Sequence, residues 1–170
     1  MLYYGILMKW ASMYTIVVTL AVIATSFVAT QQIQAQEGKM IITFLSGKDE
    51  VPPTESNASA WAKFQSVEND SQLSYWVSIV GLKEITGAHL HKGSVGQNGD
   101  IVAVLSEAKS AEVGGNETIS LKGNITKGDL QGPLEGKEVS DLVSLMRNGS
   151  AYVNVHNNEY KDGVIRGQIG

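Results

Sequence analysis

Three histidines make up the whole imidazole complement of this 170-residue chain, and they fall in two short segments. His89 and His91 belong to Gly87-Ala88-His89-Leu90-His91-Lys92-Gly93; His156 ends Ala151-Tyr152-Val153-Asn154-Val155-His156. Both segments read as β-strands, and residues two apart on a strand point to the same face. His89 and His91 can therefore meet one ligand together, and a neighbouring strand can bring His156 beside them. Neutral imidazole is the commonest metal ligand, and three of them suit zinc or copper with one coordination position left open. The competing reading is structural: the rings hydrogen-bond loops at one end of a sheet. On the strand ending in His156, Tyr152 and Asn154 share its face by the same period of two. Asn154 could then orient a ligand histidine from behind, or the face could simply be solvated.

Composition narrows the remaining chemistry. There is no cysteine, so disulfides, thiolate ligands and cysteine nucleophiles are excluded. Thirteen basic against seventeen acidic residues, with no basic run, argue against a nucleic-acid partner. No Gly-x-Ser-x-Gly elbow is present, the loop over 93–99 lacks the lysine of a phosphate cradle, and no catalytic dyad can be assembled.

These residues must be positioned by the elements around them. Short alternating or apolar runs at 40–45, 60–67, 73–80, 87–91, 100–105, 117–122, 151–156 and 164–169 read as strands separated by Gly-rich turns. The last two are expected to form a hairpin across 157–163. One helix is expected at 141–148, capped by Ser140 and closed by Gly149. Trp61, Tyr75 and Trp76 are expected in the core. Adjacent Tyr75 and Trp76 must nevertheless face opposite ways, which permits an exposed aromatic surface for a glycan or a protein. The pattern predicts an all-β domain, an immunoglobulin-like antiparallel sandwich or barrel with one short helix.

Residues 10–30 carry no charge and follow a lone Lys9. A positive residue, an apolar stretch and a polar segment form the layout of a secretory signal, with cleavage expected after Ala35. The stretch also approaches the roughly 20 apolar residues that span a bilayer, so an uncleaved anchor is the alternative. Either way residues 40–170 form the exported domain, behind a linker at 36–39, secreted or held at the outer face of the membrane. Five Asn-x-Ser/Thr sequons, at Asn57, Asn69, Asn116, Asn124 and Asn148, agree with export.

Five segments together carry a family resemblance. They are Phe44-Leu45-Ser46-Gly47-Lys48-Asp49-Glu50-Val51-Pro52-Pro53, Gly87 to Gly93, Asn98-Gly99-Asp100-Ile101-Val102, Ala151 to His156, and Ile165-Arg166-Gly167-Gln168-Ile169. In this order and spacing, over about 40–170, they resemble the CHRD domain, first described in chordin and widespread in exported microbial proteins. The resemblance implies an extracellular, immunoglobulin-like β fold and little about activity. The chain departs from the family pattern at Ser59-Ala60-Trp61, where the family often has Gly, and at Lys161-Asp162-Gly163-Val164, where it often has Pro and Glu. Both are turns or edges that leave the histidines untouched. Glu50 and Arg166 lie near the two ends of the signature, and meeting terminal strands would make them an ion pair. A general-acid role for Glu50 is the alternative.

The functional expectation is an extracellular binding or structural module holding one metal ion, copper or zinc, at His89, His91 and His156. Its partner is expected to be an extracellular protein, a glycan or the metal itself, with membrane contact only through the N-terminal segment. A copper-dependent oxidoreductase with superoxide-dismutase-like chemistry is the alternative. That enzyme is also a β-sandwich, but it uses more histidines and an aspartate, and three histidines cannot build its two-metal site.

Overall fold

The computed structural model describes residues 38, 40–67, 69–110 and 118–170. The expected signal or anchor at 1–35 and the sequon at Asn116 lie outside the described residues. Eight strands, β1 (Met40–Ser46), β2 (Ser59–Val67), β3 (Gln72–Val80), β4 (Glu84–Lys92), β5 (Ile101–Ser110), β6 (Thr118–Ile125), β7 (Ala151–His156) and β8 (Ile165–Ile169), form one antiparallel sheet. Its order is β5-β4-β7-β8-β1-β2-β3-β6. The outermost strands, β5 and β6, approach each other, so the sheet rolls into a nearly closed barrel. The all-β fold expected from the turn-punctuated runs is the fold observed.

Strand parity decides what the barrel contains. On β2, Ala60, Ala62 and Phe64 point inward and are buried; on β3, Leu73, Val77 and Ile79 do the same. Phe64, and Leu142 and Met146 from the helix, join the same core cluster. Tyr75 shares the inward parity of Leu73 and Val77, whereas Trp61 and Trp76 point outward. The tryptophans therefore leave the core that composition assigned them, because their neighbours on each strand already fill it.

The seam between β6 and β5 is bridged from inside. Tyr75 pairs with Gly123 across β3 and β6, and a Cβ on Gly123 would lie 2.5 Å from the Tyr75 hydroxyl. The absent side chain lets the phenol cross β6 and donate to the Leu105 carbonyl on β5 at 2.5 Å. An isolated bridge between Ala103 and Leu130 continues the closure.

The helix, α1 (Val139–Arg147), begins two residues earlier than expected. Ser140 is not its cap. Glu138 occupies that position, and the Asp141 carboxylate accepts the Glu138 N–H at 3.0 Å. Its other end matches the expectation: Gly149 takes φ +66, and the N–H groups of Gly149 and Ser150 reach back to the carbonyls of Met146 and Leu145 at 3.1 and 2.9 Å. This turn delivers the chain directly into β7 and hence to His156. Val139, Leu142, Val143 and Met146 bury one face of α1 in the common core. No helix among the described residues is long and apolar enough to cross a membrane.

Candidate metal centre

The three histidines stand together on the outer face of β4 and β7. Along β4, Ala88 and Leu90 face the core, so His89 and His91 face away from it. β4 and β7 pair in uninterrupted register, His91 opposite Tyr152, His89 opposite Asn154 and Gly87 opposite His156. Against β5 the register of β4 shifts twice, on either side of the His89–Leu90 pair. Such bulges bend a strand and re-aim its side chains.

Gly87 supplies the space for convergence. A Cβ there would lie 2.9 Å from Cε1 and 3.1 Å from Nε2 of His89. The His89 ring thus folds back over Gly87, toward the residue opposite it, His156. The two ring centres are 4.8 Å apart, and one ligating nitrogen from each of the three rings lies within 4.8 Å of the others. Metal–nitrogen distances of about 2.0–2.1 Å put the ligand nitrogens of one ion within about 4 Å of each other, close to the spacing seen here.

Two of the three rings have a hydrogen-bonded support. His91 Nδ1 donates to the Gly99 carbonyl at 2.8 Å, and His156 Nδ1 donates to the Lys161 carbonyl at 2.9 Å. These bonds leave Nε2 of both rings as the lone-pair nitrogen, which is how backbone carbonyls orient metal-binding imidazoles. Tyr152 stacks on His91 at 4.8 Å with the planes 10° apart, and the Arg166 guanidinium covers the other face of Tyr152 at 3.5 Å. The Tyr152 hydroxyl accepts the Gly99 N–H at 3.1 Å, so one residue of the loop fixes both His91 and Tyr152. Gly99 can approach because it has no Cβ; one would overlap the Lys92 carbonyl.

Burial sets the protonation of the cluster. Desolvation first, then the proximity of His156 and His91, lowers the His89 pKa to about 4. His91 and His156 are also lowered, chiefly by burial, against the opposing pull of the Gly99 and Lys161 carbonyls. Neutral rings are the form that binds metal. Nδ1 of His89 and Nε2 of His91 and His156 are buried without hydrogen-bond partners, as are Asn154 Oδ1 and Glu50 Oε1 close by. Among the described residues one further atom shares that condition, Ser66 Oγ. Unpartnered buried polar atoms cost roughly 1–3 kcal/mol each, so their concentration at one place points to a polar guest.

The remaining expected residues lie beside the histidines. Asn154 is buried on the histidine face, but its Nδ2 donates to the Asp162 carbonyl at 3.3 Å. Beside the backbone carbonyls and Tyr152, Asn154 is close enough to His91 for its side chain to act on that ring's protonation. Glu50 and Arg166 are both buried and near enough for their charges to interact, yet they form no direct salt bridge. Arg166 instead donates to the carbonyls of Ser94 and Gln97 at 3.0 and 2.9 Å and to Asn98 Oδ1 at 3.2 Å. The loop over 93–99 turns its oxygens inward, where they outcompete one carboxylate for the planar guanidinium fork. Burial raises the Glu50 pKa to about 7, against the lowering effects of Arg166, the Val51 backbone and Asn154. Gly163, at φ +140, seals it: a Cβ there would lie 2.4 Å from Glu50 Oε1.

Sequence reading missed Gly87, Gly99 and the carbonyl of Lys161. The first had a legible signal, since Gly87 is two residues from His89 and must share its face. The other two act through backbone atoms, which side-chain chemistry does not reveal.

The CHRD domain pattern matches residues 42–169, from the third residue of β1 to the last of β8. The chain belongs to the CHRD domain family. No curated protein matches it. The match spans the segments that carry His89, His91 and His156.

Proposed function

We propose that this CHRD domain is an exported binding module that holds one metal ion, copper or zinc, at His89, His91 and His156. The observation that carries the reading is the convergence of three imidazoles, each offering one ligating nitrogen within 4.8 Å of the others, and each with a buried ring nitrogen that has no hydrogen-bond partner. A ring packed only for structure satisfies both nitrogens or leaves the second in water. Three neutral imidazoles with an open position suit zinc or copper better than calcium or magnesium, which take oxygen ligands. Export is supported by the uncharged stretch at 10–30 after Lys9 and by the exposure of the sequon residues Asn57, Asn69, Asn124 and Asn148. Nothing in the geometry favours the oxidoreductase alternative over a carrier or a structural ion.

The test is elemental analysis of the untagged protein after loading with copper or zinc and dialysis. Close to one equivalent is expected in the parent chain and none in His89→Ala/His91→Ala. No retained metal in a folded parent overturns the metal reading. Redox cycling of bound copper would be the result that reopens the enzyme alternative.

A further inference from the structure

The outer face of the sheet on its other flank, formed by β1, β2, β3 and β6, carries an apolar stripe where a one-sided antiparallel sheet is normally polar. On β1 the outward residues Met40, Ile42 and Phe44 are 54%, 50% and 75% exposed. Phe44 lies opposite Trp61 on β2, and Trp61 meets Trp76 of β3 edge-on at 4.8 Å. These residues form a continuous stripe across three strands.

Charge on this face is segregated. Lys63 stands opposite both Ile42 and Trp76, and Lys122 extends over the Trp76 ring, its Nζ 4.2 Å from the centre. The outward positions of the four strands carry these two lysines and no acid, although acids outnumber bases seventeen to thirteen in the chain. An apolar stripe flanked by Trp and Lys and free of carboxylates matches the boundary between anionic headgroups and acyl chains. Covalent continuity points the same way. The uncharged stretch ends at Thr30, and residues 31–39 separate it from β1. Nine residues reach at most about 30 Å. If residues 10–30 enter a bilayer, the start of β1 is tethered within that distance of its surface.

We propose that the face carrying Ile42, Phe44, Trp61 and Trp76 is a docking surface for an anionic lipid bilayer, with Lys63 and Lys122 over the headgroups. The apolar side chains enter the interface and the lysines hold the acidic lipids around them. The histidine centre lies on different strands of the sheet, β4 and β7, so the two sites are independent.

The test uses the full chain with Trp10→Phe, which leaves Trp61 and Trp76 as the only tryptophans. The protein is added to phosphatidylcholine vesicles with and without phosphatidylglycerol, each prepared with plain or brominated acyl chains. Bromine is expected to quench the tryptophan emission in the phosphatidylglycerol vesicles, and raised salt to relieve the quenching. Lys63→Glu/Lys122→Glu is expected to weaken partitioning roughly tenfold or more, and Ile42→Ser/Phe44→Ser to abolish the quenching. All four positions face outward, and far-ultraviolet circular dichroism checks that each variant keeps the fold. Equal emission with plain and brominated lipid overturns the proposal. So does quenching that both variants retain, which would assign it to the N-terminal segment alone. Self-association of the free protein through this face, without quenching, would assign the stripe to a second copy of the chain and also overturns it.

Discussion

At the scale of single residues, the centre depends on one missing side chain and one stacked ring as much as on its three ligands. Gly87→Ala places a methyl group within 3.1 Å of two His89 ring atoms and pushes the ring away from His156. Metal affinity is expected to fall about 10–100-fold, the range for lost support around a ligand, while the fold persists; titration with a competing chelator measures this. His156→Ala removes a ligand outright and is expected to abolish stoichiometric binding. Protonation gives a second test. His89 has a pKa of about 4 in the fold against 6.5 ordinarily, so the unfolded chain takes up a proton that the fold refuses. The stability linked to this histidine is present above pH 6.5 and lost as pH falls toward 4. Glu50 runs the other way: with its pKa raised from 4.5 to about 7, its contribution is present below 4.5 and lost as pH rises through 7. Glu50→Gln is therefore expected to raise the melting temperature of the metal-free protein at pH 8 and change it little at pH 4.5. A thermal melt at both pH values checks it; equal shifts would mean that Glu50 titrates normally.

At the scale of elements, closure of the barrel relies on the contact that Tyr75 makes across Gly123 to the Leu105 carbonyl. Tyr75→Phe keeps the ring and removes the donor. A cost of about 1 kcal/mol is expected, with amide hydrogen exchange accelerating in β5 and β6 more than in the β4–β7–β8 group. Uniform acceleration would show that the seam does not open separately. The β7–β8 hairpin is tied differently, through Gln168 Nε2 to the carbonyls of Gly93, Gly149 and Ala151. That side chain joins the loop over 93–99, the end of α1 and the start of β7, and so fixes the strand on which Tyr152, Asn154 and His156 are carried.

At the scale of the whole molecule, metal binding and folding are linked. The ligands come from β4 and β7, with His156 more than sixty residues beyond His91, so the unfolded polypeptide offers no equivalent site. A metal that binds only the native state at a free concentration one hundred times its dissociation constant adds about 2.7 kcal/mol of stability. Denaturant melts with and without zinc are expected to show a shift of that order in the parent and none in His89→Ala/His91→Ala. The same molecule carries a buried polar cluster on one flank of its sheet and an exposed apolar stripe on the other. A nearly closed barrel permits this inversion, because its interior already supplies the core.

Periodicity alone determined the all-β architecture, the β7–β8 hairpin and the shared face of His89 and His91, because side-chain direction on a strand follows from parity. The glycine that ends α1 was legible for a similar reason, since left-handed backbone favours it. The sequence also supplied the family resemblance through five ordered segments. Tertiary structure decided the rest. Strand order put β4 next to β7 and so brought His156 to His91, a neighbour relation that no local pattern encodes. Competition for hydrogen bonds turned Arg166 toward the loop carbonyls and left Glu50 without its expected partner. The sheet face that turned inward put Trp61 and Trp76 outside, because Ala62, Phe64, Val77 and Ile79 on the opposite parity line the core.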